Sequence, residues 1–252
     1  MNLTVGNDVA LAFALCFTRC AAVMMALPMM IGIAIPVRVR MLLAALIAAA
    51  LMPAARLAAP VDSGPPAIAL MVVREIAVGL VLSFAGAVVV GAVTMVGELI
   101  GNGMELNSGG LLRGAIAMPN ALADGLATLT AIVFFLAGFH RALLLALAKS
   151  FTAAPLGAPS LPGLSAMVTL GGHMFTIALE LGLPLMIPLF VLSLAQGVIA
   201  RLAPQINVLI AAPAAILLAG LTLLALDTSG LAGGIVRVWW SVMNQSFGWV
   251  NG

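Results

Sequence analysis

The sequence predicts an all-α integral membrane protein: about six long apolar helices, followed by a C-terminal interfacial helix. Two observations carry that prediction. First, 64% of the 252 residues are hydrophobic and only 7% are charged, against roughly a quarter charged in an ordinary soluble domain. Too few charges are present to make a polar skin, so lipid or other apolar chains must solvate much of the surface. Second, the apolar residues fall into stretches long enough to cross the hydrocarbon core, which takes about 20 residues in a helix.

Six stretches qualify: 9–34, 41–59, 67–100, 121–148, 166–199 and 206–227. Pro36-Val37-Arg38-Val39-Arg40 ends the first, and Pro60-Val61-Asp62-Ser63-Gly64-Pro65-Pro66 is a loop by composition. Gly101 to Asn120 forms the third break. Ala154 to Gly163, with Pro155, Pro159 and Pro162, forms the fourth, and Leu202-Ala203-Pro204-Gln205 the fifth. After Asp227 the tail from Gly234 to Trp249 carries Trp239, Trp240 and Trp249, which suits a helix in the membrane interface. The stretches 67–100 and 166–199 exceed one crossing, and Gly182, Pro184 and Pro188 interrupt the second, so tilted, kinked or re-entrant helices are expected. The N-terminal run lacks a basic leader, carries Asp8 and extends beyond a normal signal-peptide core, so it reads as the first structural helix.

Charge placement excludes several classes. The net charge of +2, with no run of like charges, gives no footprint for nucleic acid or a polybasic lipid-binding face. Lysine and arginine are shared almost evenly between the two sets of alternating breaks. The positive-inside rule therefore gives no orientation, and a plain serpentine is in question. Cys16 and Cys20, one helical turn apart, read as small core residues. His140 and His173 lack the spacing and the third ligand of a zinc site. No nucleophile elbow or phosphate-cradling loop is present, and Gly97-Glu98-Leu99-Ile100-Gly101-Asn102-Gly103 has no preceding strand pattern. The expectation is no enzyme activity, no cofactor and no metal.

Ionisable residues inside the apolar stretches cost on the order of 2.5–3.5 kcal/mol each at a helix centre. They are Arg19, Glu98 and Glu180, with His140 and Arg141 late in the fourth stretch. They read either as a proton or ion relay, or as groups paired with one another, with partner subunits or with helix ends; pairing is the favoured reading. Gly79, Gly86 and Gly91 read as sites of close helix packing, and the fifteen methionines as flexible gap-fillers. The long polar break from Gly101 to Asn120 is either a solvent-side loop or irregular backbone lining a cavity.

Several strings, read in order, resemble the FliR family of flagellar type III export gates and its virulence-secretion counterpart SctT. They are Val73-Arg74-Glu75-Ile76-Ala77-Val78-Gly79-Leu80, Gly97-Glu98-Leu99-Ile100-Gly101, and Phe134-Phe135-Leu136-Ala137-Gly138-Phe139-His140-Arg141-Ala142-Leu143. Lys149-Ser150-Phe151 with Pro155-Leu156-Gly157 follows, then Gly197-Val198-Ile199-Ala200-Arg201-Leu202-Ala203-Pro204-Gln205-Ile206-Asn207-Val208. The first 70 residues fit in hydropathy and length alone. Two features depart from the family pattern: Leu111-Leu112-Arg113-Gly114-Ala115 stands where an Asp-Pro pair is common, and His140 stands alone where a histidine pair is usual.

The resemblance implies a FliP-like part over 1–163, with a central loop at 101–120, fused to a FliQ-like helical hairpin and tail over 164–252. It implies a gate with FliP and FliQ, working beside FlhB and FlhA, at the flagellar basal body in the bacterial inner membrane. Membrane lipid and unfolded export substrates would be its other contacts. The loop would plug the channel through Asn107, Ser108, Gly109, Gly110, Leu111, Leu112, Arg113, Gly114, Met118 and Pro119, with Leu106 and Ile116 adding to an apolar seal. Arg19, Arg74, Glu75, Glu98, Glu105, His140, Glu180 and Arg201 are the expected buried charges or subunit contacts. The equivalent virulence subunit is an alternative. From a different class, so is a small secondary transporter with Glu98, Glu180 and Arg19 at a midplane site, although no internal repeat supports one.

Overall fold

A computed structural model of the chain describes residues 2–31, 35–55, 64–104, 121–157, 164–202 and 208–246. Its elements are α1 (Asn2–Ile31), α2 (Val37–Leu51) with a short 3-10 turn (Met52–Ala54), α3 (Pro65–Gly103), α4 (Ala121–Leu136), α5 (Phe139–Ala153), α6 (Leu164–Leu202) and α7 (Val208–Ser246). Five helices are long and apolar enough to cross a bilayer, and the bent pair α4–α5 makes a sixth if it is one span.

The centre of the bundle is α3. It opens on Pro65 and Pro66 after Gly64, where the missing N–H groups of proline leave no bond unmade. Over the apolar 18-residue window of each span, 67% of α3 is buried, against 11% of α2 and 17% of α7, and α1, α4, α6 and α7 all pack on α3. Lipid tails are as apolar as leucine, so burial alone does not choose the central helix. Close packing through small residues does. On α3 the buried set includes Gly79, Ser83, Ala85, Gly86, Ala92, Gly97 and Gly101. A methyl group at Gly79 would lie 2.6 Å from Ala22 Cβ and 2.7 Å from the Arg19 carbonyl oxygen of α1. One at Gly97 would lie 2.5 Å from Ala123 Cα of α4. Gly91 faces only the flexible end of Met174 on α6, at 3.1 Å.

The fourth apolar stretch is not one straight helix. It breaks at Ala137-Gly138, where Gly138 takes the left-handed conformation at φ 75°, and α5 leaves α4 at 66°. That backbone is strained for any residue with a Cβ. The corner is filled by rings: Trp239 of α7 lies 5.1 Å from both Phe134 and Phe139, and is fully buried.

One expectation needs correction. There is no boundary near Asp227: the sixth stretch and the expected interfacial helix are one continuous helix, α7. Trp239 is consequently a core residue under the α4–α5 corner, while Trp240 remains half-exposed. The excess length expected of 67–100 and 166–199 is present in α3 and α6 and extends to α7. Three helices of 39 residues each run roughly 58 Å at 1.5 Å per residue, about twice the 30 Å hydrocarbon thickness. Such helices must tilt steeply or project beyond the core, which accounts for the failure of a serpentine reading of the charges.

Candidate functional site

Buried charge converges at one point, where α1, α3 and the end of α5 meet. The close approach at Gly79 brings Arg19 of α1 beside Glu75, one turn earlier on α3. Both side chains are fully buried. Arg19 Nε donates to Glu75 Oε2 at 2.6 Å, and its Nη2 lies 2.5 Å from the same oxygen. Nη1 donates to the carbonyl of Ser150 at 3.0 Å and to its Oγ at 3.1 Å, and Nη2 donates to the Ala154 carbonyl at 2.9 Å. The guanidinium carbon sits 4.4 Å from the centroid of the Phe151 ring.

Local structure explains the donors' targets. Helix α5 ends at Ala153, where helix carbonyls carry partial negative charge; the Ser150 carbonyl accepts the Ala154 N–H at 2.9 Å and takes the guanidinium as a second donor. A guanidinium with five donors in a fixed fork satisfies two carbonyls and a carboxylate at once. Ser150 Oγ accepts from Arg19 and donates to the Leu147 carbonyl at 2.7 Å, so it is used in both directions. Glu75 Oε1 accepts from Arg74 Nη1 at 3.1 Å and from the Gly157 N–H at 3.3 Å, and Arg74 Nη1 also donates to the Pro155 carbonyl at 3.1 Å. Gly157, at φ 74°, turns its N–H toward the carboxylate. Arg19 and Glu75 are each held by several partners, an arrangement that ties α1, α3 and the end of α5 together.

The other sequence-predicted residues do not join it. Glu98 lies some 23 residues beyond Glu75 on α3, roughly 35 Å along the helix, and is exposed. Glu180 is exposed midway along α6, and Arg201 is exposed in its last turn. The midplane trio of Arg19, Glu98 and Glu180 is therefore not assembled: Arg19 is committed to Glu75 and α5. His140 is half-buried beside Phe135, ring centroids 5.7 Å apart, and its Nδ1 has no hydrogen-bond partner among the described residues. Glu105 and the plug-loop residues Asn107 to Pro119 lie outside the described residues. Among the described residues, no three histidine, cysteine, aspartate or glutamate side chains form a metal-holding group.

Sequence reasoning named Arg19, Arg74 and Glu75 but missed Ser150, Ala154, Pro155 and Gly157 as their partners. The pairing spans 56 residues to Glu75 and 131 to Ser150, and carbonyl acceptors leave no mark in a sequence. The one available signal was Lys149-Ser150-Phe151 with Pro155-Leu156-Gly157, a polar serine and a turn closing an apolar helix.

A bundle of this kind, with overlong apolar helices and a buried charge junction between them, defines a polytopic membrane protein. The chain belongs to the bacterial export proteins, family 1, whose sequence profile matches residues 10–242. It is also similar to the flagellar biosynthetic protein FliR of Escherichia coli (strain K12), 30% identical over 159 residues. That alignment covers 62% of this chain and 60% of the relative, so it spans less than two thirds of the relative's length. Family and polytopic architecture together support an inner-membrane location.

Proposed function

We propose that this chain is a non-enzymatic subunit of the flagellar type III protein export gate, helping to form and close the channel through which unfolded flagellar proteins cross the inner membrane. The observation that carries this reading is family membership over residues 10–242, with sequence likeness to a flagellar biosynthetic protein. In this proposal the chain assembles with FliP and FliQ at the basal body, beside FlhB and FlhA. Residues 1–163 form the FliP-like part, and 164–252 the FliQ-like hairpin and tail. Support for that division comes from α6 and α7, two 39-residue helices that pack on each other and are joined by a short break.

Closure is assigned to the segment 101–120. A passage wide enough for a polypeptide leaks ions unless filled. Glycines at 109, 110 and 114 permit rearrangement, while Leu106, Leu111, Leu112, Ile116 and Met118 give an apolar seal indifferent to cargo sequence. The junction around Arg19 and Glu75 fixes α1 and α5 against α3, the helix whose C-terminal end leads into that segment. Deleting Ser108 to Arg113 is expected to raise ion conductance across membranes containing the assembled gate. An unchanged leak, in a gate that native mass spectrometry shows to be correctly assembled, refutes the plug.

A further inference from the structure

The outward face of α6 is wrong for lipid. Glu180 is exposed near the middle of this 39-residue helix and takes part in no hydrogen bond or ion pair among the described residues. Its neighbours on the helix surface, three, four and seven residues away, are Thr176, Leu183, Pro184 and Ile187, all exposed. The apolar surface continues through Phe190, Val191 and Leu194, each more than half exposed. A carboxylate on such a face has no water and no counter-charge if lipid covers it.

The backbone adds a second, independent demand. Helix α6 runs on through Pro184 and Pro188. Proline has no N–H, so Pro184 gives no bond to the Glu180 carbonyl, and Pro188 gives none to the Pro184 carbonyl. Carboxylate and two under-supplied carbonyls therefore crowd within two turns, all of them acceptors. Prolines inside membrane helices persist where neighbouring helices, hydroxyl side chains, water or local 3-10 and π adjustments supply what the broken ladder lacks.

Among the described residues, no cation of this chain forms an ion pair with Glu180. Arg19 and Arg74 are buried in the junction at Glu75. Arg237 of α7 comes level with this part of α6: its Nη2 lies 3.8 Å from the Cβ position of Gly234, which itself faces Leu181. Even so, it forms no ion pair with Glu180. Nor does the face suit itself. A two-fold pair of copies would set carboxylate against carboxylate and acceptors against acceptors.

We propose that the Glu180–Pro188 face of α6 is a docking surface for a transmembrane helix of a different subunit, one that brings a lysine or arginine to the depth of Glu180. The basic side chain donates to the carboxylate and to the freed carbonyls, and the flanking Leu183, Ile187 and Phe190 pack on its helix. This inference rests on the export-gate reading, which supplies the other subunits.

The test places a photoreactive residue at Leu183 in the full chain, within the intact complex in native membranes. The expected product is an adduct to one other subunit, with a lysine or arginine within one turn of the cross-linked position. Glu180→Gln, which keeps the side-chain shape, is expected to lower adduct yield about tenfold, the worth of a hydrogen bond to a charged group. Glu180→Lys abolishes the adduct, and an acidic replacement of the partner's basic residue restores it. Labelling of lipid or of a second copy overturns the proposal. So does a partner peptide without a basic residue, or a yield unchanged in Glu180→Gln. Native mass spectrometry of the same preparation separates the two readings: a hetero-oligomer with a lipid-labelled Leu183 sinks the docking face alone, while a lone monomer sinks the export-gate reading as well.

Discussion

Glu75→Gln is the sharpest probe of the charge junction. The change keeps volume and shape but leaves the buried Arg19 facing a neutral amide, with Arg74 beside it. Removing one partner of a buried pair costs about 3–5 kcal/mol, because the remaining charge is left uncompensated. Both side chains are wholly buried, so solvent screening offers little relief. For a chain of this size roughly 2–4 °C of melting temperature accompanies each kcal/mol, giving a fall of roughly 6–20 °C in the detergent-solubilised complex. The double exchange Arg19→Glu with Glu75→Arg tests the cause. A simple ion pair is rescued by exchange. A donor hub is not, because a carboxylate at position 19 cannot donate to the Ser150 and Ala154 carbonyls that Arg19 now caps. The measurement is thermal unfolding together with the level of protein retained in the membrane. A melting temperature for Glu75→Gln indistinguishable from the native one, or full recovery in the double exchange, refutes the reasoning.

Other substitutions separate contact from composition. Gly79→Ala and Gly97→Ala each force a methyl group onto the backbone of a neighbouring helix, an overpacking cost of about 1–3 kcal/mol that outweighs the gain in helix propensity of about 1 kcal/mol. Gly125→Ala, with nothing within 4 Å of the added carbon, receives only the gain, and thermal melts of the three variants should divide accordingly. Gly138→Ala strains a backbone at φ 75°, so a loss of about 1–2 kcal/mol is expected, read as a lower melting temperature and faster proteolysis at the α4–α5 corner. Trp239→Ala empties the fully buried ring site between Phe134 and Phe139 at a cost of about 3–5 kcal/mol; Trp240→Ala, half-exposed, should lose clearly less in the same assay.

Hydropathy and breaker residues were enough to read the class, the apolar stretches and most of their ends from the sequence. Lipid imposes helices on any long apolar run, and prolines at 36, 65 and 66 mark helix starts by their own chemistry. The family strings likewise lay in the open, including Arg74, Glu75 and the Gly79 that follows one turn later. Tertiary structure decided what apolar composition leaves degenerate. It made α3 the central helix, through glycines whose role depends on what approaches them. It turned α4 into α5 at Gly138, and carried α7 without a break through Asp227 to bury Trp239 in that corner. It also sorted the charges. Arg19 and Glu75 are locked inside, while Glu98 and Glu180 face outward. A charge buried in a helix must find a partner, and the sequence states that need. Which partner it finds depends on the carbonyls and side chains that distant segments bring within 3 Å, and only the folded chain fixes those.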